Sequence, residues 1–132
     1  MQFYLDASIP VDVYRALHCV RGDVLYPGEP GCPVEERGAK DSDWLPIAGE
    51  RGWIVLIRDK RIRSRPWERQ AFIDARVPLF CMTGGGNYSK WQTLELLVRR
   101  WERITEVAAS EVPPYIYSVT QEGVRRLYPA AA

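Results

Sequence analysis

The sequence is poor in the residues that bind soft metals and in long apolar runs. It has one histidine and three cysteines, Cys19, Cys32 and Cys81, without a C-x-x-C pair. This pattern argues against a disulfide framework and against a zinc site. No apolar run approaches the roughly 20 residues that a membrane-spanning helix needs, and no charged leader precedes the first apolar run. We therefore expect a cytoplasmic protein without a membrane partner.

Net charge is also small, so it excludes few functions. The 132 residues carry a net charge of +1 and are 46% apolar, which predicts one compact domain over residues 1–132. One of several clusters of positive charge lies beside an aspartate, Asp59. This basic cluster consists of Arg58, Lys60, Arg61 and Arg63. It is either a solvated surface or a set of cations for a phosphate backbone.

Apolar runs and helical spacings alternate along the chain. Strands are predicted at residues 2–5, 24–26, 53–57 and 77–82, with helices after each, and residues 27–40 are a loop rich in Pro and Gly. Such an order predicts an α/β fold, a mostly parallel sheet with helices on both faces. A β-hairpin at residues 115–128 follows the last helix, and we expect it to be an appendage of the sheet.

Three aspartates stand at positions where this type of fold usually binds its ligands. Asp6 follows the first strand, Asp59 follows the third, and Asp41 precedes the helix that leads into the third. Ligands of open α/β sheets bind outside the carboxyl ends of the strands. Converging carboxylates repel one another unless a cation lies between them, so the pattern predicts an acidic metal site. The alternatives are helix caps at Asp6 and Asp41 and a turn aspartate at Asp59.

The ordered set of segments resembles the PIN-domain nucleases, and most closely the VapC-type toxins of toxin–antitoxin systems. The first segment is Phe3-Tyr-Leu-Asp6 followed by Ile9-Pro10. The second runs from Asp41 through a helix to Gly52, and then Trp53-Ile-Val-Leu-Ile-Arg58-Asp59. Pro114-Tyr-Ile-Tyr117 resembles the tails of these proteins. The resemblance covers nearly the whole chain and implies a PIN-like three-layer sandwich.

The resemblance implies a metal-dependent endoribonuclease. Asp6, Asp41 and Asp59 would be the catalytic residues and would bind Mg²⁺ or Mn²⁺, with Asp43 as an additional ligand or outer-shell acid. Oxygen ligands fit these hard cations better than Zn²⁺. The basic cluster, Arg58, Lys60, Arg61 and Arg63, would contact RNA. A small antitoxin protein and a homodimer are the protein partners that the family implies.

Two departures from the family pattern keep other functions open. The family has a further acid where this chain has loop 27–40, in which Glu35 or Glu36 is the substitute, and Ile57 replaces a hydroxyl residue before Arg58. The alternative is a PIN-like module that binds RNA or a protein without cleaving. A third class is an interaction protein built around the long helix at about residues 88–109, whose Trp91 and Trp101 are core or dimer-interface residues.

Overall fold

Strands and helices alternate in the order that the sequence predicts. The computed structural model describes residues 1–58, 65–83 and 88–130. The strands are β1 (Phe3–Leu5), β2 (Val24–Leu25), β3 (Ile54–Arg58), β4 (Pro78–Met82), β5 (Tyr115–Thr120) and β6 (Gly123–Tyr128). The helices are α1 (Val11–His18), α2 (Asp41–Arg51), α3 (Pro66–Asp74) and α4 (Lys90–Ser110).

The described strands form one sheet in the order β2-β1-β3-β4-β5-β6. All pairs from β2 to β5 are parallel, and only β5 and β6 are antiparallel. The predicted mostly parallel sheet is therefore confirmed. Because β2 lies on one side of β1 and β3 on the other, the chain reverses its direction of travel across the sheet between these two central strands.

The sheet separates two hydrophobic cores, because successive side chains of a strand point to opposite faces. Phe3 and Leu5 of β1 join the core that contains α1 and α4, whereas Tyr4 joins the core that contains α2 and α3. Both faces of the sheet are covered, which explains why the central strands are continuously apolar rather than alternating. The predicted three-layer sandwich with helices on both faces is confirmed.

The C-terminal hairpin belongs to this sheet and is not separate from it. β5 pairs with β4 from Pro78↔Tyr115 to Met82↔Val119, and residues 115–119 are buried. β6 forms the edge of the sheet, with two exposed arginines, Arg125 and Arg126. The sequence predicted this hairpin as an appendage of the sheet but not the strand with which it pairs, because alternation alone does not reveal the neighbour of a strand.

Helix α4 begins at a well-formed cap and buries one face. The Ser89 hydroxyl accepts a hydrogen bond from the Gln92 N–H, and the Gln92 side chain accepts one from the Ser89 N–H. Trp101 lies in the core, but Trp91 is 70% exposed and belongs to the surface. Among the described residues, no helix is long and apolar enough to cross a membrane.

The approach of α2 to the end of α3 gives a test of the packing. A Cβ atom at Gly49 of α2 would lie 2.3 Å from the carbonyl oxygen of Ala75. Alanine favours a helix over glycine by about 1 kcal/mol, but the clash with a backbone atom is larger. We expect Gly49→Ala to lower the free energy of unfolding by about 1–3 kcal/mol in urea titrations.

Gly22→Ala is the matched control for that variant. A Cβ at Gly22 meets nothing within 4 Å, so its free energy of unfolding should stay within about 0.5 kcal/mol of the wild type. Equal stability of the two variants would contradict the close contact between α2 and Ala75.

Candidate active site at the carboxyl edge of the sheet

The candidate site lies where β1 and β3 end side by side. α1 follows β1 and packs on one face of the sheet, whereas α3 follows β3 and packs on the other. The two connections therefore diverge and leave a crevice, the usual ligand position of an open α/β sheet. Asp6 follows the last residue of β1. Asp59 follows Arg58 in the sequence and lies outside the described residues.

Ser8 ties the end of β1 to the end of β3. The Asp6 N–H donates to the carbonyl oxygen of Leu56 at 3.1 Å, which extends the strand pairing by one residue. The Asp6 carboxylate accepts hydrogen bonds from the N–H of Ser8 at 3.0 Å and from the Ser8 hydroxyl. The Ser8 hydroxyl oxygen in turn accepts from the Arg58 N–H at 2.9 Å. Asp6 is thus held in place by its neighbour, and Ser8 has a positioning role.

The helix-capping alternative for Asp6 is wrong. The N-cap of α1 is Pro10, and no side chain caps this helix. The sequence did not single out Ser8, although aspartate followed two residues later by serine is a common turn pattern that contains the necessary signal. What the pattern does not contain is the partner at Arg58, 50 residues away in the chain.

Asp41 and Asp43 both lie in the first turn of α2. Lys40 is the N-cap, so Asp41 is the first helical residue and not the cap. The carboxylate of Asp43 accepts a hydrogen bond from the Lys40 N–H at 3.1 Å. Asp43 therefore satisfies a backbone donor at the start of α2, a common use of an acid at this helical position.

The Tyr4 hydroxyl interacts electrostatically with both Asp6 and Asp41. The side chain of Tyr4 is on the α2 face of the sheet and is completely buried. Burial raises the pKa of the Tyr4 hydroxyl, and electrostatic interactions with Cys32, Asp6 and Asp41 raise it further. Both carboxylates therefore act electrostatically on the same buried hydroxyl. For this hydroxyl no hydrogen-bond partner is found within the described part of the chain.

Loop 27–40 is anchored on the domain by a charged contact. Glu29 accepts hydrogen bonds from Arg15 of α1 at 3.0 Å and from Arg37 at 3.4 Å. These arginines, Arg15 first, lower the pKa of the Glu29 carboxyl. The loop also buries Val34 against the α2 face. The ion pairs of Glu29 and the burial of Val34 both hold this loop against the rest of the domain.

The substitutes that the sequence offered for a further acid are in this loop. Glu35 and Glu36 are both exposed. At the start of the same loop, the buried Tyr26 hydroxyl donates to the Ile9 carbonyl oxygen at 2.5 Å, which connects the loop to the turn after β1. The loop thus borders the crevice through Tyr26 and Cys32, whose interactions reach Asp6 and Tyr4 respectively.

Arg58 is directed toward α4. Its guanidinium donates to the Tyr88 carbonyl oxygen at 3.4 Å and to the Thr93 hydroxyl at 3.3 Å. Thr93 is fully buried and donates in turn to the Ser89 carbonyl oxygen at 2.9 Å. Arg58 therefore links β3 to the first turn of α4. The other members of the basic cluster, Lys60, Arg61 and Arg63, lie outside the described residues.

We compared the chain with models of known protein families. The family model described as a PIN-like domain matches residues 1–84, which include β1 to β4 and α1 to α3. The chain belongs to the PIN-like domain family. No curated protein and no solved structure gives a significant match. Membership in this PIN-like family supports a nuclease-type function in general, without defining the substrate.

The donor set of this PIN-like site fits a hard divalent cation. Asp6 and Asp41 supply carboxylate oxygens, and the unpaired hydroxyl of Tyr4 is a polar group at the same place. Oxygen ligands of this kind suit Mg²⁺ or Mn²⁺. Within the described ranges, no three His, Cys, Asp or Glu side chains group as ligands of one ion. Asp59, the third acid that the sequence predicts, lies outside those ranges.

The Ser8 bridge gives the next test. Ser8→Ala removes the acceptor of the Arg58 N–H and the hydroxyl donor to Asp6. We expect a loss of about 1 kcal/mol in the free energy of unfolding, the usual contribution of such a hydrogen bond. Urea titration followed by tryptophan fluorescence measures this loss.

Ser110→Ala serves as the control, because the Ser110 hydroxyl donates to carbonyl oxygens of its own helix turn, those of Glu106 and Val107, at the exposed end of α4. Its stability should remain within about 0.5 kcal/mol of the wild type. A Ser8 variant as stable as the Ser110 variant would remove Ser8 from its bridging role.

Proposed function

We propose that this PIN-like domain is a metal-dependent endoribonuclease that hydrolyses RNA phosphodiester bonds. The observation that carries the proposal is the position of two acids in the strand order: Asp6 directly follows β1, and Asp41 begins α2, the helix that leads into β3. β1 and β3 are the neighbours between which the sheet reverses its direction, in a chain whose family is typically nucleolytic. Neither fact alone defines the reaction, but both favour chemistry on a polyanion at this edge.

The proposed roles follow from the position of each acid. Asp6, Asp41 and Asp59 would hold Mg²⁺ or Mn²⁺. A bound divalent ion supplies Lewis acidity, which activates a water and neutralises charge on the phosphate. Ser8 fixes the orientation of the Asp6 carboxylate. Asp43 remains a candidate outer-shell acid, and its hydrogen bond to the Lys40 N–H limits how far it can move toward an ion.

The basic cluster is proposed as the surface that contacts the RNA backbone. Lys60, Arg61 and Arg63 follow Asp59 directly in the sequence, so their charges lie close to the acidic site along the chain. Arg58 stays a predicted RNA contact as well, although its guanidinium donates to the start of α4. Cations beside an acidic site are needed because a phosphate backbone carries one charge per nucleotide.

The toxin role belongs to the same proposal and rests on the resemblance to VapC-type proteins. It implies a small antitoxin as the protein partner and a homodimer as the assembly. An exposed apolar strip offers a surface for protein contacts. It consists of Trp91, Leu94 and Val98 of α4 together with Val20 after α1, of which Trp91, Val98 and Val20 are 70%, 59% and 80% exposed. This strip favours the second candidate function, a PIN-like module that binds a protein without cleaving RNA.

Cleavage of a labelled tRNA pool tests the proposal. We expect cutting with Mg²⁺ or Mn²⁺ and none with EDTA. Asp6→Asn and Asp59→Asn should each reduce the rate by on the order of a hundredfold or more, since changes outside the ligand shell alone cost about 10–100-fold. Circular dichroism of each variant verifies that the fold is intact.

Asp74→Asn is the matched control for charge. Asp74 is an exposed aspartate at the end of α3, near the opposite edge of the sheet, and its variant should cut like the wild type. Cleavage that survives in both the Asp6 and the Asp59 variants would overturn the site. Folded protein that cuts RNA with none of the metals would favour the protein-binding module.

The salt dependence of RNA binding tests the basic cluster. Binding is followed by fluorescence anisotropy in EDTA, which prevents cleavage. Each phosphate contact contributes about 0.7–0.9 to the slope of log K against log salt. We expect the double variant Arg61→Gln, Arg63→Gln to bind more weakly and to lower the slope by about 1.5.

The double variant Arg125→Gln, Arg126→Gln removes the same charge from the exposed edge strand β6. It should leave the slope unchanged. An identical slope in all three proteins would place the RNA elsewhere on the surface.

A further inference from the structure

A buried hydroxyl at the acidic site has no structural partner. Tyr4 is 0% exposed, and its hydroxyl makes no hydrogen bond within the described part of the chain. Leaving such a group unpaired costs about 1–3 kcal/mol. Tyr115, 2% exposed, also has an unpaired buried hydroxyl, but it lies in the other core, at the start of β5. An unpaired hydroxyl alone therefore identifies no function.

The position of Tyr4 distinguishes it from Tyr115. Asp6 stands two residues after Tyr4, directly beyond the end of β1, and its N–H continues the pairing with β3 by donating to the Leu56 carbonyl oxygen. The alternation of the strand therefore directs Asp6 toward the same face as Tyr4. Trp44, one helical turn after Asp41, packs on the Tyr4 ring with a centroid distance of 4.8 Å. Asp41 and Trp44 therefore lie on one side of α2, the side toward Tyr4. Strand period and helix period bring the two acids to the same tyrosine.

The ring of Tyr4 is fixed between two tryptophans. Trp53 stacks on it with centroids 5.0 Å apart and an interplanar angle of 14°, and Trp44 covers it from α2. A ring held in this way cannot turn its hydroxyl toward solvent. The buried hydroxyl interacts electrostatically with Cys32, Asp6 and Asp41.

We propose that Tyr4 is a positioning residue of the acidic site, whose hydroxyl donates a hydrogen bond to a ligand oxygen when a divalent cation is bound. The acceptor is a carboxylate oxygen of Asp6 or Asp41, or an ordered water between them. A tyrosine hydroxyl beside two carboxylates acts as the donor, because ionised carboxylates only accept. The inference rests on the proposed function, since it presupposes a cation at these acids.

The neighbouring strand β3 offers no hydroxyl on this face near the site. Ile57, near the end of β3, contributes to the same face of the sheet and to the same core as Tyr4. Its side chain is apolar, so it cannot donate a hydrogen bond to a ligand oxygen, whereas the Tyr4 hydroxyl can.

Tyr4→Phe tests the role, with Tyr115→Phe as the matched control. Mn²⁺ affinity is measured from the electron paramagnetic resonance signal of the free ion, and stability without metal from urea titration. We expect Tyr4→Phe to weaken Mn²⁺ binding about tenfold. Without metal this variant should be as stable as the wild type or more stable, because an unpaired hydroxyl is removed. Tyr115→Phe should change stability in the same direction and leave Mn²⁺ binding unchanged.

The Asp6→Asn variant separates this inference from the proposed function. If Asp6→Asn loses Mn²⁺ binding while Tyr4→Phe binds like the wild type, the acidic site stands and the role of Tyr4 is overturned. If the wild type binds no Mn²⁺, or if Asp6→Asn binds as the wild type does, both the metal site and the role of Tyr4 are overturned. Weaker binding in both tyrosine variants would also overturn it, because the effect would then come from packing.

Discussion

The parallel pairing of β1 with β3 is the contact on which the candidate site depends. It joins segments about 50 residues apart, from Phe3↔Ile54 to Leu5↔Leu56, and is continued by the Asp6 N–H and the Ser8 hydroxyl. Since β2 occupies the other side of β1, the helices after β1 and β3 must leave on opposite faces. The crevice at the carboxyl edge is a consequence of this order of strands, and it requires no insertion or lid.

Burial of both faces of the sheet determines which side chains can reach that crevice. One strand of three residues contributes Phe3 and Leu5 to one core and Tyr4 to the other. The core on the α2 face is aromatic near the site, where Tyr4 lies between Trp44 and Trp53. Apolar rings pack tightly and exclude water. A hydroxyl buried among them without a hydrogen-bond partner therefore either destabilises the folded state or has a functional role.

The polar groups around the crevice serve both stability and the proposed chemistry. Asp43 satisfies a backbone donor of α2, Arg58 links β3 to α4, and Glu29 fixes loop 27–40 through two arginines. Asp6 and Asp41 both interact electrostatically with the Tyr4 hydroxyl. A PIN-like family membership and this grouping of acids support the ribonuclease proposal from independent directions, one from sequence and one from geometry.

The sequence by itself determined the elements of the fold. It also determined that Asp6 follows the first strand and that Asp41 stands at the start of α2. Apolar runs, helix periods and Pro or Gly breaks are local signals, and they predicted the order of strands and helices up to β6. Tertiary structure alone decided that Ser8 binds the Arg58 N–H, that Arg58 points to Thr93 and that β5 joins β4. It also placed the Tyr4 hydroxyl beside both acids. These features depend on contacts between segments distant in the chain, and no local pattern specifies which distant partner a side chain will meet.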